Sequence, residues 1–245
     1  MEIEQSGLAD ASRKWYLKLK EELIKLGGKP TELDGGIFAW HKNNQLIGLT
    51  AVCVDDVIWG GSEEFLSVIS RLKEVFKIGA EHSDSFNYLG TTVNQKEDYS
   101  ITIDQNKYVN DLNLISTDDT DVTNKQKRLN EKETKALRSA IGQLNWLAVI
   151  SRPEISFLVS HTSSRIKSAT VNDIIETNRV IKFVKTTPNF ISIPRLNINS
   201  LKIVTFSDAI YNNLGDGGSQ GAHIIFLADD ENNCSPMYWA SNRIE

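Results

Sequence analysis

Two adjacent aspartates, Asp55 and Asp56, interrupt an apolar, strand-like stretch of this 245-residue chain. Residues 49–61 read LTAVCVDDVIWGG, a run rich in the β-branched and aromatic residues that favour strands. Unpaired carboxylates in such a run lose hydration, and neighbouring ones repel each other. A divalent cation such as Mg²⁺, which prefers oxygen ligands, removes both costs. The pair therefore predicts either a metal site at a hairpin or a plain turn, because aspartate is also a common turn residue.

The composition excludes several classes of protein. No apolar run reaches the roughly 18 residues of a membrane span, and residues 1–5 lack the basic and apolar regions of a signal peptide. Cys53 and Cys234 are the two cysteines, which favours reduced thiols in an intracellular protein. The net charge of −5 disfavours a nucleic-acid binder, although basic residues gather locally. These clusters comprise Lys125, Lys127, Arg128 and Lys132, and Arg165, Lys167, Arg179, Lys182 and Lys185.

Helical and strand patterns alternate unevenly along the chain, which predicts an α+β fold. Helical spacing of apolar residues occupies residues 11–26, 63–76, 105–112, 133–149, 153–164 and 171–186. Strand patterns occupy residues 36–41, 45–54, 57–59, 86–93, 100–103, 202–206, 221–227 and 237–241. We expect Gly60 and Gly61 to break the third strand, and Asp208 to follow the strand at 202–206. Residues 116–130 are polar and predict an exposed linker.

Six short motifs, spread over nearly the whole chain, carry a family resemblance. They are GLADASRKWY at residues 7–16, Val54-Asp55-Asp56, Tyr88-Leu89-Gly90, IGQLNWL at residues 141–147 with SRPEI at 151–155, Ser207-Asp208-Ala209, and MYWAS at residues 237–241. In this order and at these separations they resemble the Pol polyprotein of copia-type retrotransposons. The similar region is the reverse transcriptase and the start of its RNase H.

The resemblance implies how the chain is organised. Residues 1–115 would be a partial reverse-transcriptase palm, an antiparallel sheet with helices. Residues 116–190 would hold a linker and a helical thumb or connection region. Residues 191–245 would be a truncated, β-rich RNase H-like segment.

The resemblance also implies a chemistry, RNA-directed DNA polymerisation by a two-metal mechanism. Asp55 and Asp56 match the paired catalytic aspartates, which hold Mg²⁺ or Mn²⁺, and Asp208 matches a metal-binding aspartate of RNase H. The segment Tyr88-Leu89-Gly90 is similar in placement to a primer grip, and Trp59 is a candidate for stacking on a base. The implied partners are an RNA or DNA template–primer, dNTPs and the rest of the Pol polyprotein. The implied compartment is the cytoplasm, in a virus-like particle, or the nucleus.

The chain also departs from this family. Its first palm aspartate and most of its RNase H ligands have no counterpart in residues 1–245, and Cys53 stands where the family has tyrosine. We therefore expect the chain to be inactive by itself as a nucleotidyltransferase. Two alternatives stay open at this point. The chain could be a non-catalytic nucleic-acid-binding remnant of a degenerate element, or a structural protein in which Asp55-Asp56 is only a turn.

Overall fold

A computed structural model describes residues 11–54, 56–77, 79–116, 124–212 and 217–244. These residues form six α-helices and three antiparallel sheets, which confirms the α+β class. The chain divides into two compact units, Met1–Glu81 and His82–Glu245, and each is described by itself. The domain boundaries expected after residues 115 and 190, and the assignment of palm, thumb and RNase H, stay predictions.

The first unit is a four-stranded sheet with two helices. Its elements are α1 (Ala11–Lys25), β1 (Lys29–Pro30), β2 (Ile37–Lys42), β3 (Gln45–Cys53), β4 (Asp56–Gly61) and α2 (Leu66–Val75). The strands pair in the order β1-β2-β3-β4, and every pairing is antiparallel. The helices and one face of the sheet share a core of buried residues, namely Leu19, Leu23, Phe38, Trp40, Phe65, Ile69 and Leu72.

Two glycines, Gly60 and Gly61, belong to β4, and the prediction that they end this strand was wrong. Gly60 and Gly61 do not break the strand, because they pair with Leu49 and Gly48 of β3. The ring of Phe65 lies so close to this place that a Cβ would come within 2.2 Å of it at Gly48 and within 2.6 Å at Gly61. The facing pair Gly48 and Gly61 therefore makes room for a buried phenylalanine, a long-range requirement that local turn propensity does not reveal.

The helices of the second unit surround a separate core. They are α3 (Asn106–Asp111), α4 (Glu131–Ile150), α5 (Ser156–Ser164) and α6 (Val171–Thr186). Asn130 and Glu133 form a capping box, so α4 begins two residues before the expected position 133. Thr170 and Asp173 form a second capping box at α6, whose predicted bounds are confirmed. Within the described ranges, none of the helices combines the length and apolarity that a membrane crossing requires.

The strands of the second unit make two sheets. They are β5 (Ser85–Tyr88), β6 (Thr91–Gln95), β7 (Ile101–Asp104), β8 (Ile191–Ile193), β9 (Lys202–Ile210), β10 (Ser219–Ala228) and β11 (Cys234–Ile244). One sheet has the order β5-β6-β7-β8 and the other the order β11-β10-β9. Residues 86–93 therefore form parts of two strands with a turn, where a single strand was expected. Asp208 lies inside β9 and does not follow it, because β10 extends the pairing to Ile210.

A buried arginine connects the helices of the second unit. Arg152 is 2% exposed, and its Nε donates to Glu154 Oε1 at 2.5 Å. Its two terminal nitrogens donate to the Val184 carbonyl at 3.3 Å and to Thr187 Oγ1 at 3.1 Å. The guanidinium also lies 5.7 Å from the centre of the Phe183 ring. One side chain thus joins the segment after α4 to the end of α6.

Asp229 organises the turn between β10 and β11. Its carboxylate accepts the backbone N–H of Asn197 at 3.0 Å, and those of Glu231 and Asn233 at 3.0 Å each. The N–H of Asn197 is the largest of the causes that hold the pKa of the Asp229 carboxyl below its ordinary value, since these hydrogen bonds favour the charged form. The turn and the segment at Asn197 are therefore held together by one ionised carboxylate.

We expect this carboxylate to make the stability of the second unit depend on pH. A lowered folded-state pKa gives stability that is present above the unfolded-state pKa of about 3.9 and is lost as the pH falls through the folded-state pKa. Asp229→Asn should therefore be less stable than the parent at pH 7, and the difference should shrink as the solution is acidified below about pH 4. Urea unfolding of both chains at pH 7, 5 and 3 measures this difference in the free energy of unfolding. A difference that stays constant over this range would contradict the account.

Candidate functional site

The hairpin of β3 and β4 carries the paired aspartates. Cys53 pairs directly with Asp56, so only residues 54 and 55 connect the two strands. Val54 has a positive φ of 53° and an exposed side chain, while Asp55 lies outside the described residues. A positive φ at the first position suits the turns that close two-residue hairpins, but it is unfavourable for a β-branched residue. Such strain is typical of segments that are held for function.

Asp56 lies on the open face of the sheet. Side chains alternate along a strand, so Asp56 shares its face with Cys53, whereas Val57 and Trp59 point to the other face. Val57 and Trp59 pack against the core beneath the helices, and the Trp59 ring lies 6.3 Å from that of Phe65. The structure thus places Trp59 and Asp56 on opposite faces. Base stacking by Trp59 stays a prediction.

The carboxylate of Asp56 meets some of the requirements of a site for a hard divalent cation. It is exposed, and within the described ranges it has no ion-pair partner that would compete with a metal. No three His, Cys, Asp or Glu side chains among the described residues are grouped so that they could hold a metal ion, and Asp55 lies outside those residues. Because Mg²⁺ commonly takes one or two carboxylates and completes its shell with substrate phosphates and water, Asp55 and Asp56 are the residues that would hold it.

The segment Tyr88-Leu89-Gly90 forms the tip of the hairpin of β5 and β6 in the second unit. Tyr88 pairs with Thr91, and the two residues between them have positive φ values of 48° and 77°. This combination is that of a type I′ turn, in which Leu89 is less favourable than glycine. A Cβ at Gly90 would lie 3.8 Å from the indole nitrogen of Trp146, so the tip approaches α4. Contact of this tip with nucleic acid stays a prediction.

Asp208 borders a groove on the sheet of β9, β10 and β11. The groove has a volume of about 620 Å³ and lies beside the start of α5. Asp208 stands opposite Ala222 in the sheet and accepts its neighbour's backbone N–H, that of Ala209, at 2.8 Å. Glu154 also lines the groove, where its carboxylate is held by Arg152. Metal binding by Asp208 stays a prediction.

Several residues of this groove were not singled out by the sequence analysis. The walls include Phe157 of α5, Phe206 of β9 and Ile224 of β10. Trp239 of β11, which belongs to the motif MYWAS, also lines it and donates its indole N–H to the Ala148 carbonyl at 2.6 Å, which attaches the sheet to α4. Alternation along β9 places Phe206 on the same face as Asp208, and this signal is present in the sequence. The partners on β10, β11 and α5 follow only from pairing between distant segments.

Comparisons with known proteins agree with the resemblance at a coarse level. No protein-family model matches the chain. The retrovirus-related Pol polyprotein from transposon RE1 of Arabidopsis thaliana is 24% identical over an alignment of 251 positions, which covers 97% of this chain and 16% of that protein. The polyprotein from transposon RE2 of the same plant is 25% identical over an alignment of 251 positions, which covers 97% of this chain and 17% of that protein.

A third relative is of more similar length. The putative transposon Ty5-1 protein of Saccharomyces cerevisiae is 22% identical over an alignment of 259 positions, which covers 98% of this chain and 80% of that protein. The chain thus spans only 16% and 17% of the two plant polyproteins, but nearly all of it aligns with each. The chain is a distant homologue of retrovirus-related Pol polyproteins of transposons.

Proposed function

We propose that this chain is part of the reverse transcriptase of a transposon Pol polyprotein and holds the paired aspartates of its nucleotidyl-transfer site. The observation that carries the proposal is the placement of Asp56. Its carboxylate is exposed at the first residue of β4, next to a two-residue hairpin turn. The strand belongs to an antiparallel sheet with one face packed under helices. Within the same proposal, Asp208 belongs to an RNase H-like sheet.

The proposed chemistry assigns distinct tasks to the residues of this hairpin. A bound divalent cation supplies charge neutralisation at the phosphates of an incoming nucleotide. Asp55 is the stronger metal ligand and Asp56 assists, while the pairing of β3 and β4 fixes where the Asp56 carboxylate can lie. The open face of the sheet, on which Asp56 lies, leaves room for a primer end. Positioning and electrostatics are the main contributions that a protein makes to phosphoryl-group chemistry.

The proposal also limits what the chain does alone. The resemblance implies a further palm aspartate, so Asp55 and Asp56 supply only part of the carboxylate set. We therefore propose that the isolated chain binds template–primer and nucleotide but is inactive by itself in primer extension. Its partners would be an RNA or DNA template–primer, dNTPs and the rest of the Pol polyprotein, in a cytoplasmic virus-like particle or in the nucleus.

A binding experiment tests this proposal. A fluorescent RNA template annealed to a DNA primer is titrated with the chain, with and without Mg²⁺ and the matching dNTP. We expect metal and nucleotide together to tighten binding roughly threefold to tenfold, because the carboxylates then contact the complex through the metal. Asp55→Asn/Asp56→Asn should lose this gain and keep the basal affinity. Asp118→Asn/Asp119→Asn changes another adjacent pair and should keep the gain.

A second function, nucleic-acid binding without chemistry, is favoured by one observation. Arg179, Lys182 and Lys185 are exposed on α6 at three-residue spacing, and the exposed ring of Phe183 lies between the last two. Basic residues beside an aromatic ring suit a phosphate backbone with a stacked base. This alternative predicts salt-dependent binding that is the same with and without Mg²⁺ and dNTP. If both aspartate variants bind like the parent under all conditions, the nucleotidyl-transfer proposal is wrong.

A further inference from the structure

The two free cysteines of the chain face different residues across their sheets. Cys53 is the last residue of β3 and stands directly opposite Asp56, the first residue of β4. Cys234 is the first residue of β11 and stands directly opposite Ala228 of β10. Of the two thiols, that of Cys53 is therefore the one whose cross-strand neighbour is a second metal-ligating side chain.

The geometry of the hairpin allows one ion to reach both side chains. Cys53 and Asp56 are a directly opposed pair, so their side chains lie on the same face of the sheet. The Cβ atoms of such a pair are about 5 Å apart. Zn²⁺ binds a thiolate sulfur at about 2.3 Å and a carboxylate oxygen at about 2.1 Å. An ion between the two strands can therefore bind both groups without a change in the backbone.

Both side chains are also available to an ion. The thiol of Cys53 is half-buried and the carboxylate of Asp56 is exposed. Among the described residues, neither side chain takes part in a hydrogen bond or an ion pair. Both residues belong to paired strands, so the backbone fixes their separation before an ion arrives. Such preorganisation lowers the entropic cost of bringing the two ligands together.

We propose that Cys53 and Asp56 together bind a thiophilic divalent cation such as Zn²⁺, which competes with Mg²⁺ at this hairpin. A thiolate is a soft ligand that favours Zn²⁺, whereas Mg²⁺ prefers oxygen ligands. Binding releases the thiol proton to the solvent, and water completes the coordination shell. The inference rests on the proposed function, because Zn²⁺ inhibits nucleotidyl transfer only if Mg²⁺ needs the same carboxylate.

Cadmium binding to the full, reduced chain tests the proposal, because a cadmium–thiolate bond absorbs in the ultraviolet by charge transfer. The variant Cys234→Ser keeps the thiol of Cys53, and its matched control Cys53→Ser keeps the thiol of Cys234. We expect Cd²⁺ to bind Cys234→Ser roughly tenfold or more tightly than Cys53→Ser. The reason is that one thiol has a carboxylate directly opposite, whereas the other has an alanine.

A change at the carboxylate tests the second ligand. In the Cys234→Ser background, Asp56→Asn should weaken Cd²⁺ binding roughly tenfold and keep the thiolate absorption. The fold should tolerate this change, since Asp56 is exposed. Glu63→Gln removes an exposed carboxylate beyond the opposite end of β4 and should leave the affinity unchanged. An excess of Zn²⁺ should abolish the absorption by displacing Cd²⁺, whereas the same excess of Mg²⁺ should not.

The outcomes separate this inference from the proposed function. Tighter cadmium binding at Cys53 that depends on Asp56 supports the inference. Equal affinities of the two single-cysteine variants, or an Asp56→Asn chain that binds Cd²⁺ like its background, would overturn it. If Mg²⁺ still stabilises the parent chain in that case, the proposed function stands and this inference alone is wrong. A failure of the proposed function appears instead as a parent chain that Mg²⁺ does not stabilise.

Discussion

Replacing Gly48 with alanine is expected to lower the free energy of unfolding of the first unit by about 3 kcal/mol. The added Cβ would lie 2.2 Å from Cγ of Phe65, far inside van der Waals contact. The ring cannot withdraw easily, because Phe65 is fully buried and packs against Trp40 with ring centres 5.0 Å apart. Either the ring or the pairing of β3 with β4 must shift, and this pairing positions Asp56.

A matched variant on the same strands isolates the effect. Gly60→Ala adds the same methyl group where no atom lies within 4 Å, so it should change the stability by less than about 0.5 kcal/mol. Urea unfolding followed by tryptophan fluorescence measures both variants, since Trp40 and Trp59 lie in this unit. The addition of Phe65→Leu to Gly48→Ala should recover part of the loss. If the two glycine variants unfold alike, Phe65 does not fix the sheet as described.

The second large effect is expected at Arg152. Its replacement by alanine should lower the free energy of unfolding by roughly 3 kcal/mol, because it removes a buried cation that makes three hydrogen bonds. The Val184 carbonyl and the Thr187 hydroxyl lose their donor, and a cavity replaces the guanidinium. The loss should appear in the second unit, where this side chain joins the segment after α4 to the end of α6.

Two other arginine variants distinguish the effect of the positive charge from the effect of the hydrogen bonds that Arg152 makes. Arg179 is 68% exposed, so Arg179→Ala should change the stability by less than about 0.5 kcal/mol. Arg152→Lys keeps the charge but loses the planar set of donors, and we expect an intermediate loss. Chemical unfolding monitored by far-ultraviolet circular dichroism compares the three. An Arg152→Ala chain as stable as Arg179→Ala would show that the buried network contributes little.

Elements with local signals were predicted well from the sequence. The bounds of α6 were correct, because apolar spacing and the capping pair of Thr170 and Asp173 lie within one segment. The start of α4 was missed by two residues, although Asn130 and Glu133 show the capping pattern in the sequence.

Features that depend on distant partners were not predicted. The strand β8 was missed because it is short and pairs with β7, about ninety residues earlier in the chain. Gly60 and Gly61 look like a strand break until Phe65 and Gly48 are seen beside them. Asp208 looks like the residue after a strand until β10 extends the pairing past it. The same limit applies to the groove beside Asp208, whose walls come from four separate segments.

The central claim is that Asp55 and Asp56 hold a divalent cation. The most direct test is the thermal unfolding of the chain over a titration of Mg²⁺ and of Mn²⁺, compared with Asp55→Asn/Asp56→Asn and with Asp118→Asn/Asp119→Asn. A ligand that binds only the folded state raises its stability once its concentration exceeds Kd. We predict a rise of roughly 2–5 °C at millimolar metal for the parent and for the second variant, and none for the first. An equal rise in all three, or none in a folded parent chain, would mean that Asp55-Asp56 is only a turn.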